Sequence, residues 1–187
     1  MKTMIMNKVS LFWILGFFLI SFNSNSQNIK LSRQDRKEVR KAQMAANFNI
    51  LDSLLNEKSF VLEADYLQNG YGFRIPVVSN LNFVEVDDLR GILQTGSDFR
   101  MGYNGVGGVT AEGIIGKWEV NKNFKSLSYT LQFSLLTNIG HYDIFMTVSS
   151  DNHAIATITG LGPGRLTWEG HLETINNSRV FKGQNTI

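Results

Sequence analysis

The spacing of apolar residues changes once along this chain, near residue 58, and this change constrains the fold more than any other feature. Between Met44 and Leu55 apolar side chains recur every three or four residues, which places them on one face of a helix. Between Leu127 and Leu135 every second residue is apolar, as in a strand with one buried face. The pattern therefore predicts one N-terminal helix followed by strands to the end of the chain.

The strand region predicts a closed sheet. After residue 58 the pattern indicates eight or nine short strands with one apolar face, joined by turns short enough for hairpins. Such strands close into a barrel or stack as a sandwich, and the short turns favour an up-and-down barrel. Within residues 109–120 the apolar phase changes beside Gly113 and Gly116, which predicts a bulge at a barrel corner. The predicted fold class is mainly β, an antiparallel barrel of about eight strands preceded by one N-terminal α-helix.

The first 26 residues are typical of a secretory signal peptide. Two lysines precede an uncharged apolar run, residues 9–22, which is shorter than the roughly 20 residues of a membrane-spanning helix. Ser24 and Ser26 provide the small side chains that a cleavage site before Gln27 requires. The alternative is an uncleaved N-terminal anchor, and lipid attachment is excluded because no cysteine follows the run. We therefore expect export, to the periplasm, the outer membrane or the extracellular space.

Loss of residues 1–26 changes the charge balance. The full chain has 18 basic and 16 acidic side chains, and two lysines belong to the leader, so residues 27–187 carry 16 of each. Residues 27–57, the predicted basic amphipathic helix, have two more basic than acidic side chains, and residues 58–187, the predicted barrel domain, have two fewer. A barrel without a basic excess is not expected to bind nucleic acid. The basic half of the helix is either a solvated face or a contact for an anionic envelope surface or protein.

Five segments, in this order, resemble one known family. They are residues 58–65 (KSFVLEAD), 82–97 (NFVEVDDLRGILQTGS), 104–113 (NGVGGVTAEG), 164–172 (GRLTWEGHL) and 178–183 (SRVFKG). Together they resemble DUF4251, a family of secreted proteins of Gram-negative bacteria with a domain of unknown function, over nearly the whole chain after the leader. The resemblance implies an exported, β-rich, lipocalin-like domain. It implies no catalytic residue, so no site is carried over from it.

The sequence contains no recognisable catalytic motif. It has no cysteine and no G-x-S-x-G segment, which excludes thiol chemistry, cysteine-ligated metals and a nucleophile elbow. Two pairs, His141 with Asp143 and Glu169 with His171, place an imidazole and a carboxylate on one face of a strand. They could bind a metal or move a proton only if the two strands were neighbours, and otherwise they are solvent-facing polar pairs. We expect no catalytic residue, no metal and no cofactor.

Residues 102–110 (GYNGVGGVT) invite comparison with a phosphate-binding loop. The segment lacks the Lys-Ser/Thr of that motif and precedes a predicted strand rather than a helix. The pattern favours a glycine-rich hairpin or bulge with positive φ angles. The alternative is that this loop lies at the mouth of the barrel, where Tyr103 would face a ligand.

The candidate ligand-binding residues are aromatic. They are Trp118, Tyr129, Phe133 and Trp168 on the apolar strand faces, together with Tyr103. Small barrels are either filled by side chains or hollow enough for one ligand, so the first four residues form the core or line a pocket of at least about 300 Å³. The leading prediction is an exported, non-catalytic cell-envelope domain that binds a small apolar or amphipathic ligand in an antiparallel lipocalin-like β-barrel. The alternative is an envelope interaction or structural module that uses the basic helix or the loop rim, and an enzyme ranks third.

Overall fold

The computed structural model describes residues 32–97, 104–160 and 164–186, and the predicted leader, residues 1–26, lies outside them. Within the described part, one helix is followed by nine strands. They are α1 (Arg33–Asn56), β1 (Ser59–Gln68), β2 (Arg74–Pro76), β3 (Phe83–Asp87), β4 (Arg90–Thr95), β5 (Val109–Asn123), β6 (Ser128–Thr137), β7 (Gly140–Ser149), β8 (His153–Thr159) and β9 (Arg165–Glu173), with a 3₁₀ turn (Ser79–Leu81) before β3. No helix of the described residues has the length and apolar character needed to cross a membrane.

The chain divides into two compact units, Met1–Lys37 and Glu38–Ile187. In the first unit the N–H of Asp35 donates to Ser32 Oγ (3.1 Å), and the N–H of Ser32 donates to Asp35 Oδ2 (3.0 Å). This reciprocal capping box satisfies two N–H groups at the start of α1. The second unit contains the rest of α1 and the whole sheet.

Eight strands close into one antiparallel barrel. Each strand from β3 to β9 pairs with the next along the chain, and β1 pairs with β3 on one side and β9 on the other. In the described residues β2 pairs with the end of β1 alone, with Leu67 opposite Ile75. The topology confirms the predicted mainly β, up-and-down antiparallel barrel with one N-terminal helix.

β5 bends where the apolar phase of the sequence changes. Its register against β6 shifts between Gly116 and Glu119, and Lys117 in the shift has a φ of 47°. Ile115 before the shift and Trp118 after it both pack on the core, so the bulge restores the inward phase. This confirms a bulge within residues 109–120, but it follows Gly116 rather than lying between Gly113 and Gly116, so Ile114 is exposed and Ile115 faces the core.

The barrel has two different ends. Because neighbouring strands are antiparallel, the strand ends alternate between them. One end, here named the capped end, consists of the C-terminal half of α1 and the connections at residues 57–58, 88–89, 124–127, 150–152 and 174–177. The other end, here named the rim, consists of residues 66–78, 96–97, 104–108, 137–140, 160 and 164–165.

The core fills the barrel and continues into α1. Inward-facing side chains of the strands form one cluster with the buried face of the helix, which comprises Phe48, Leu51, Leu54 and Leu55. The largest fully buried side chains include Trp168, Tyr129, Phe60 and Phe133. The helix therefore closes the capped end by completing the same hydrophobic core.

The segment after β9 covers a second apolar cluster on the outer face of the sheet. Val61, Phe83 and Ile92 are buried there beneath Ile175 and Val180. Further along, Glu112 of β5 accepts hydrogen bonds from Lys182 and Asn185 and pairs with Arg90. These contacts hold the pKa of the Glu112 carboxyl at about 2. The C-terminal segment is thus fastened to the wall by both apolar and ionic contacts.

Candidate functional site

Four of the five predicted ligand-binding residues meet in the core of the barrel. Trp168, Tyr129 and Phe133 are 0%, 1% and 1% exposed. A side chain that lines a hollow open to water keeps accessible area, so these three rings touch protein atoms on all sides. Trp118 is half-buried, with its ring centroid 5.3 Å from that of Phe133. The fifth, Tyr103, lies outside the described residues.

One polar atom of this aromatic set has no partner. Among the described residues, the Trp168 Nε1 atom is buried without a hydrogen-bond partner, as is the Ser150 Oγ atom. An unpaired buried donor costs about 1–3 kcal/mol. A ligand acceptor would satisfy the Trp168 N–H group, but the full burial of the indole leaves no accessible space beside it.

Tyr129 connects α1 to the barrel. Its hydroxyl donates to Asp52 Oδ1 (2.9 Å) and to the backbone oxygen of Phe48 (3.2 Å). Lys122 Nζ lies 2.9 Å from Asp52 Oδ1 and 4.9 Å from the centre of the Phe48 ring. The hydrogen bond from Lys122 lowers the pKa of Asp52, and burial raises the pKa of Tyr129. The polar groups of Tyr129, Asp52 and Lys122 pair with one another, so this cluster holds α1 on the barrel.

An open groove of about 210 Å³ lies at the capped end, between α1 and the end of β9 with the residues that follow it. Leu51, Leu54 and Leu172 contribute apolar lining to it, and Asn47 and Asn177 contribute polar groups. Ligand pockets of proteins usually measure about 300–1,000 Å³. The groove is therefore below the usual size range, and it is separate from the predicted aromatic set.

The glycine-rich segment is held by its own asparagine. Asn104 Oδ1 accepts hydrogen bonds from the N–H groups of Val106 (3.1 Å) and Gly108 (2.9 Å). The Asn104 amide also donates to the backbone oxygen of Thr95 (3.2 Å). Gly105 and Gly107 both have a φ of 75°. Two N–H groups that could have faced a phosphate are thus already paired, which confirms a glycine-rich turn for residues 104–108.

The two predicted histidine pairs are not neighbours, because β8 lies between β7 and β9. His141 Nε2 lies 3.3 Å from Asp143 Oδ1 on β7. His171 instead stands opposite His153 of β8 and Glu63 of β1. In the described ranges no group of three or more His, Asp or Glu side chains is arranged to hold a metal ion. The two pairs therefore lie on strands that are not neighbours, and they do not form one shared site.

The histidines of β8 and β9 lie beside carboxylates on the outer wall of the barrel. His153 Nε2 lies 3.0 Å from Glu169 Oε1, and Arg74 lies 2.6 Å from Glu169 Oε2. The hydrogen bond with His153 and the charge of Arg74 lower the pKa of Glu169. His171 Nδ1 lies 3.4 Å from Asp65 Oδ2. These contacts tie β8, β9, β1 and β2 together on the outer wall.

Residues 66–78, here named the rim hairpin, expose large apolar side chains that the sequence reading did not single out. Tyr71 is 93% exposed, Phe73 is 75% exposed and Ile75 is 57% exposed. The sequence indicates a turn at residues 68–70 and a strand at residues 73–78. The sequence signal for this site is the apolar alternation of Tyr71, Phe73 and Ile75. In the described residues these side chains lie on a hairpin whose second strand, β2, pairs with β1 alone.

The backbone of the rim hairpin is set by hydrogen bonds. Asn69 Oδ1 accepts from the N–H groups of Tyr71 and Phe73, each at 3.0 Å. At the base, the Arg74 guanidinium lies 3.6 Å from the centre of the Tyr66 ring. Asn69 shapes the tip as an Asx turn, and the arginine stacks on the strand beneath. These contacts therefore hold the backbone that carries the exposed side chains.

Comparison with known proteins relates the chain to one family. The sequence model of the family described as "Domain of unknown function (DUF4251)" matches residues 42–172, which include the rim hairpin but not the basic half of α1 or the C-terminal segment. A crystal structure of a DUF4251 family protein from Bacteroides eggerthii is similar, with 30% sequence identity and a TM-score of 0.61. The similarity covers 74% of this chain and 96% of that one. No curated protein matches the chain.

Proposed function

This chain belongs to the DUF4251 family, and we propose that it is an exported, non-catalytic module of the cell envelope that docks on another surface through its rim hairpin. The pattern of residues 1–26 supports export, since a positively charged start, a short apolar run and small residues precede the helix. A role in binding is supported by the rim, where apolar side chains are exposed on a closed barrel. The proposal develops the loop-rim alternative of the sequence reading.

The observation that carries the proposal is the exposure of Tyr71, Phe73 and Ile75 on one short hairpin. Burying a large apolar side chain contributes about 1.5–3 kcal/mol, so three exposed ones represent a substantial unused free energy. Exposed apolar groups that lie together on a folded domain commonly mark interaction sites. The four described aromatic residues of the predicted ligand set are instead packed against protein, which gives a ligand in the barrel core less support.

A second candidate is a small amphipathic ligand bound in the groove beside α1. The groove combines apolar lining with the polar side chains of Asn47 and Asn177, which is the composition that such a ligand needs. Its volume of about 210 Å³ suits only a small molecule. Native mass spectrometry of protein purified from the envelope tests this candidate, because a retained ligand appears as an added mass.

The main proposal is tested by the double variant Tyr71→Ser/Phe73→Ser in the full chain. We expect its binding to isolated cell-envelope preparations to be weaker than that of the wild type by at least about tenfold, since each lost ring removes more than about 1.4 kcal/mol of possible burial. The matched control is Ile114→Ser/Leu136→Ser, which removes two exposed apolar side chains that face each other on the barrel wall. Equal binding of the rim variant and the wild type would contradict the proposal.

A further inference from the structure

We propose that the surface contacted by the rim hairpin is the headgroup region of an anionic phospholipid bilayer. This inference rests on the proposed function, because it names the partner of the same hairpin. It is carried by the shape of the hairpin, by the distribution of charge around it and by the way its backbone is held.

The exposure of the hairpin decreases steadily from its tip to its base. The exposed fraction is 93% at Tyr71, 75% at Phe73, 57% at Ile75 and 40% at Val78. The apolar surface is thus small and most exposed at the tip, whereas a stable protein interface needs about 800 Å² per partner with complementary shape. A bilayer deforms around an inserted point. Aromatic side chains, and tyrosine in particular, favour the interface between headgroups and acyl chains.

The charges within the hairpin complement an anionic surface, and the nearest carboxylates, Asp65 and Glu169, lie at its base rather than at its tip. The rim hairpin contains one arginine, Arg74, and no acidic residue. Arg165 lies beside its turn, since a Cβ added to Gly70 would be 4.0 Å from the Arg165 backbone oxygen. The other described rim segments contain no acidic residue either. Because Arg74 also pairs with Glu169, Arg165 is the freer of the two arginines to approach lipid phosphates.

The backbone of the hairpin already has a fixed conformation before it contacts a bilayer. The two hydrogen bonds to Asn69 Oδ1 fix the tip, and the stacking of Arg74 on Tyr66 fixes the base. A preformed tip loses little conformational entropy when its side chains enter another phase. The apolar side chains supply most of the attraction in this arrangement, and the arginines select anionic lipids.

The test is sedimentation of the purified processed chain, residues 27–187, with lipid vesicles. We expect binding to vesicles of phosphatidylethanolamine with phosphatidylglycerol, and weaker binding to vesicles of phosphatidylcholine alone. Tyr71→Ser/Phe73→Ser should lower the partition coefficient by at least about tenfold, while Ile114→Ser/Leu136→Ser should leave it within about twofold. Arg165→Gln should weaken binding to the anionic vesicles only. Circular dichroism and thermal unfolding check that each variant is folded.

A second measurement reports the position of the tip. A Phe73→Trp variant should show a blue shift of its emission on anionic vesicles, after subtraction of the wild-type signal, and quenching by brominated acyl chains. If the wild type does not bind vesicles, while its binding to envelope preparations depends on the hairpin and is abolished by protease treatment of those preparations, the partner is a protein. In that case the lipid inference is wrong and the proposed function stands. If neither binding depends on the hairpin, both are wrong.

Discussion

At the capped end of the barrel four apolar side chains of α1 are buried in the core, with Ile50, Leu89 and Phe124 exposed around them, whereas at the rim the apolar side chains of the hairpin are exposed. Leu51 and Leu55 pack into the same core as the strands, and Tyr129 ties the helix to the barrel. Tyr71 and Phe73 stand on a backbone that is equally well hydrogen-bonded, by Asn69. The difference lies in what covers the side chains: α1 completes the core at one end, and no described element covers the rim hairpin at the other.

The two ends also differ in charge. The capped end includes the carboxylates of Asp52, Glu57, Asp88 and Asp151, whereas the described rim segments contain none. Carboxylates near an apolar surface oppose its contact with anionic lipids. The two ends therefore differ in how far their apolar side chains are covered and in their carboxylates, and variants at each end can test whether they also differ in role.

The largest effect is expected for Leu55→Ala at the capped end. Leu55 of α1 is fully buried against the barrel, so its truncation leaves a cavity and should lower the free energy of unfolding by about 2–5 kcal/mol. Urea denaturation measures the change. The matched rim variant Ile75→Ala should change the same quantity by less than about 0.5 kcal/mol. Equal losses would show that the rim contributes as much stability as the cap.

Two glycine variants test how tightly the rim segment at residues 104–108 is packed. A Cβ at Gly108 would lie 2.1 Å from the Thr95 backbone oxygen, so Gly108→Ala should destabilise the protein by more than about 2 kcal/mol. Gly105 has a positive φ but no atom within 4 Å of the added Cβ, so Gly105→Ala should cost only about 1 kcal/mol. Thermal unfolding compares the two. Both costs would instead be small and similar if residues 104–108 were a flexible ligand loop rather than a tightly packed turn.

Tyr129→Phe isolates the polar contact of the cap. The change removes the hydroxyl that donates to Asp52 and to the Phe48 backbone oxygen but keeps the buried ring. We expect a loss of about 1–2 kcal/mol in the free energy of unfolding, measured with urea. A double-mutant cycle with Asp52→Asn should give a coupling energy clearly above zero. Strict additivity would mean that the hydroxyl and the carboxylate do not act together.

Acid should weaken the cap. The pKa of Asp52 is lowered in the folded protein, so its pairing with Lys122 stabilises the fold above the ordinary aspartate pKa of about 3.9 and is lost as the pH falls through the lower folded-state value. Asp52→Asn should remove this part of the pH dependence of the melting temperature. The Glu112 carboxyl, with a pKa of about 2, supplies a separate acid-dependent contribution in the C-terminal segment, which Asp52→Asn leaves intact.

The smallest effect on stability is expected for the rim hairpin. Because Tyr71 and Phe73 are largely exposed, Tyr71→Ser/Phe73→Ser should change the free energy of unfolding by no more than about 0.5 kcal/mol. A large loss of stability in urea denaturation would place these rings in the folding core instead. A small loss together with weakened surface binding would confirm that the two ends have different roles.

The helix and the barrel could be predicted because the spacing of apolar residues depends directly on backbone geometry. Trp118 illustrates this, since the phase change beside Gly116 predicts the bulge that turns its ring inward. The role of Tyr129 and Phe133 could not be predicted, because a filled barrel and a hollow one require the same alternation of apolar residues. Whether His141 and His171 meet depends on strand order, and β8 separates them.

The exposed hairpin was missed for a related reason. Tyr71, Phe73 and Ile75 lie at every second position, which in a central strand would predict burial. β2 has a described partner only in β1, so no neighbouring strand or helix covers these side chains. The pattern alone does not distinguish an edge hairpin from an inner strand.

The sequence by itself determined the change from helix to strand near residue 58, a count of eight or nine strands, the presence of a bulge in β5 and the family, because each depends on local spacing or on ordered segments. Only the tertiary structure decided which apolar residues are covered. Burial depends on contacts between residues far apart in the chain, and those contacts place Trp168 in a filled core and leave Tyr71 in solvent at the rim.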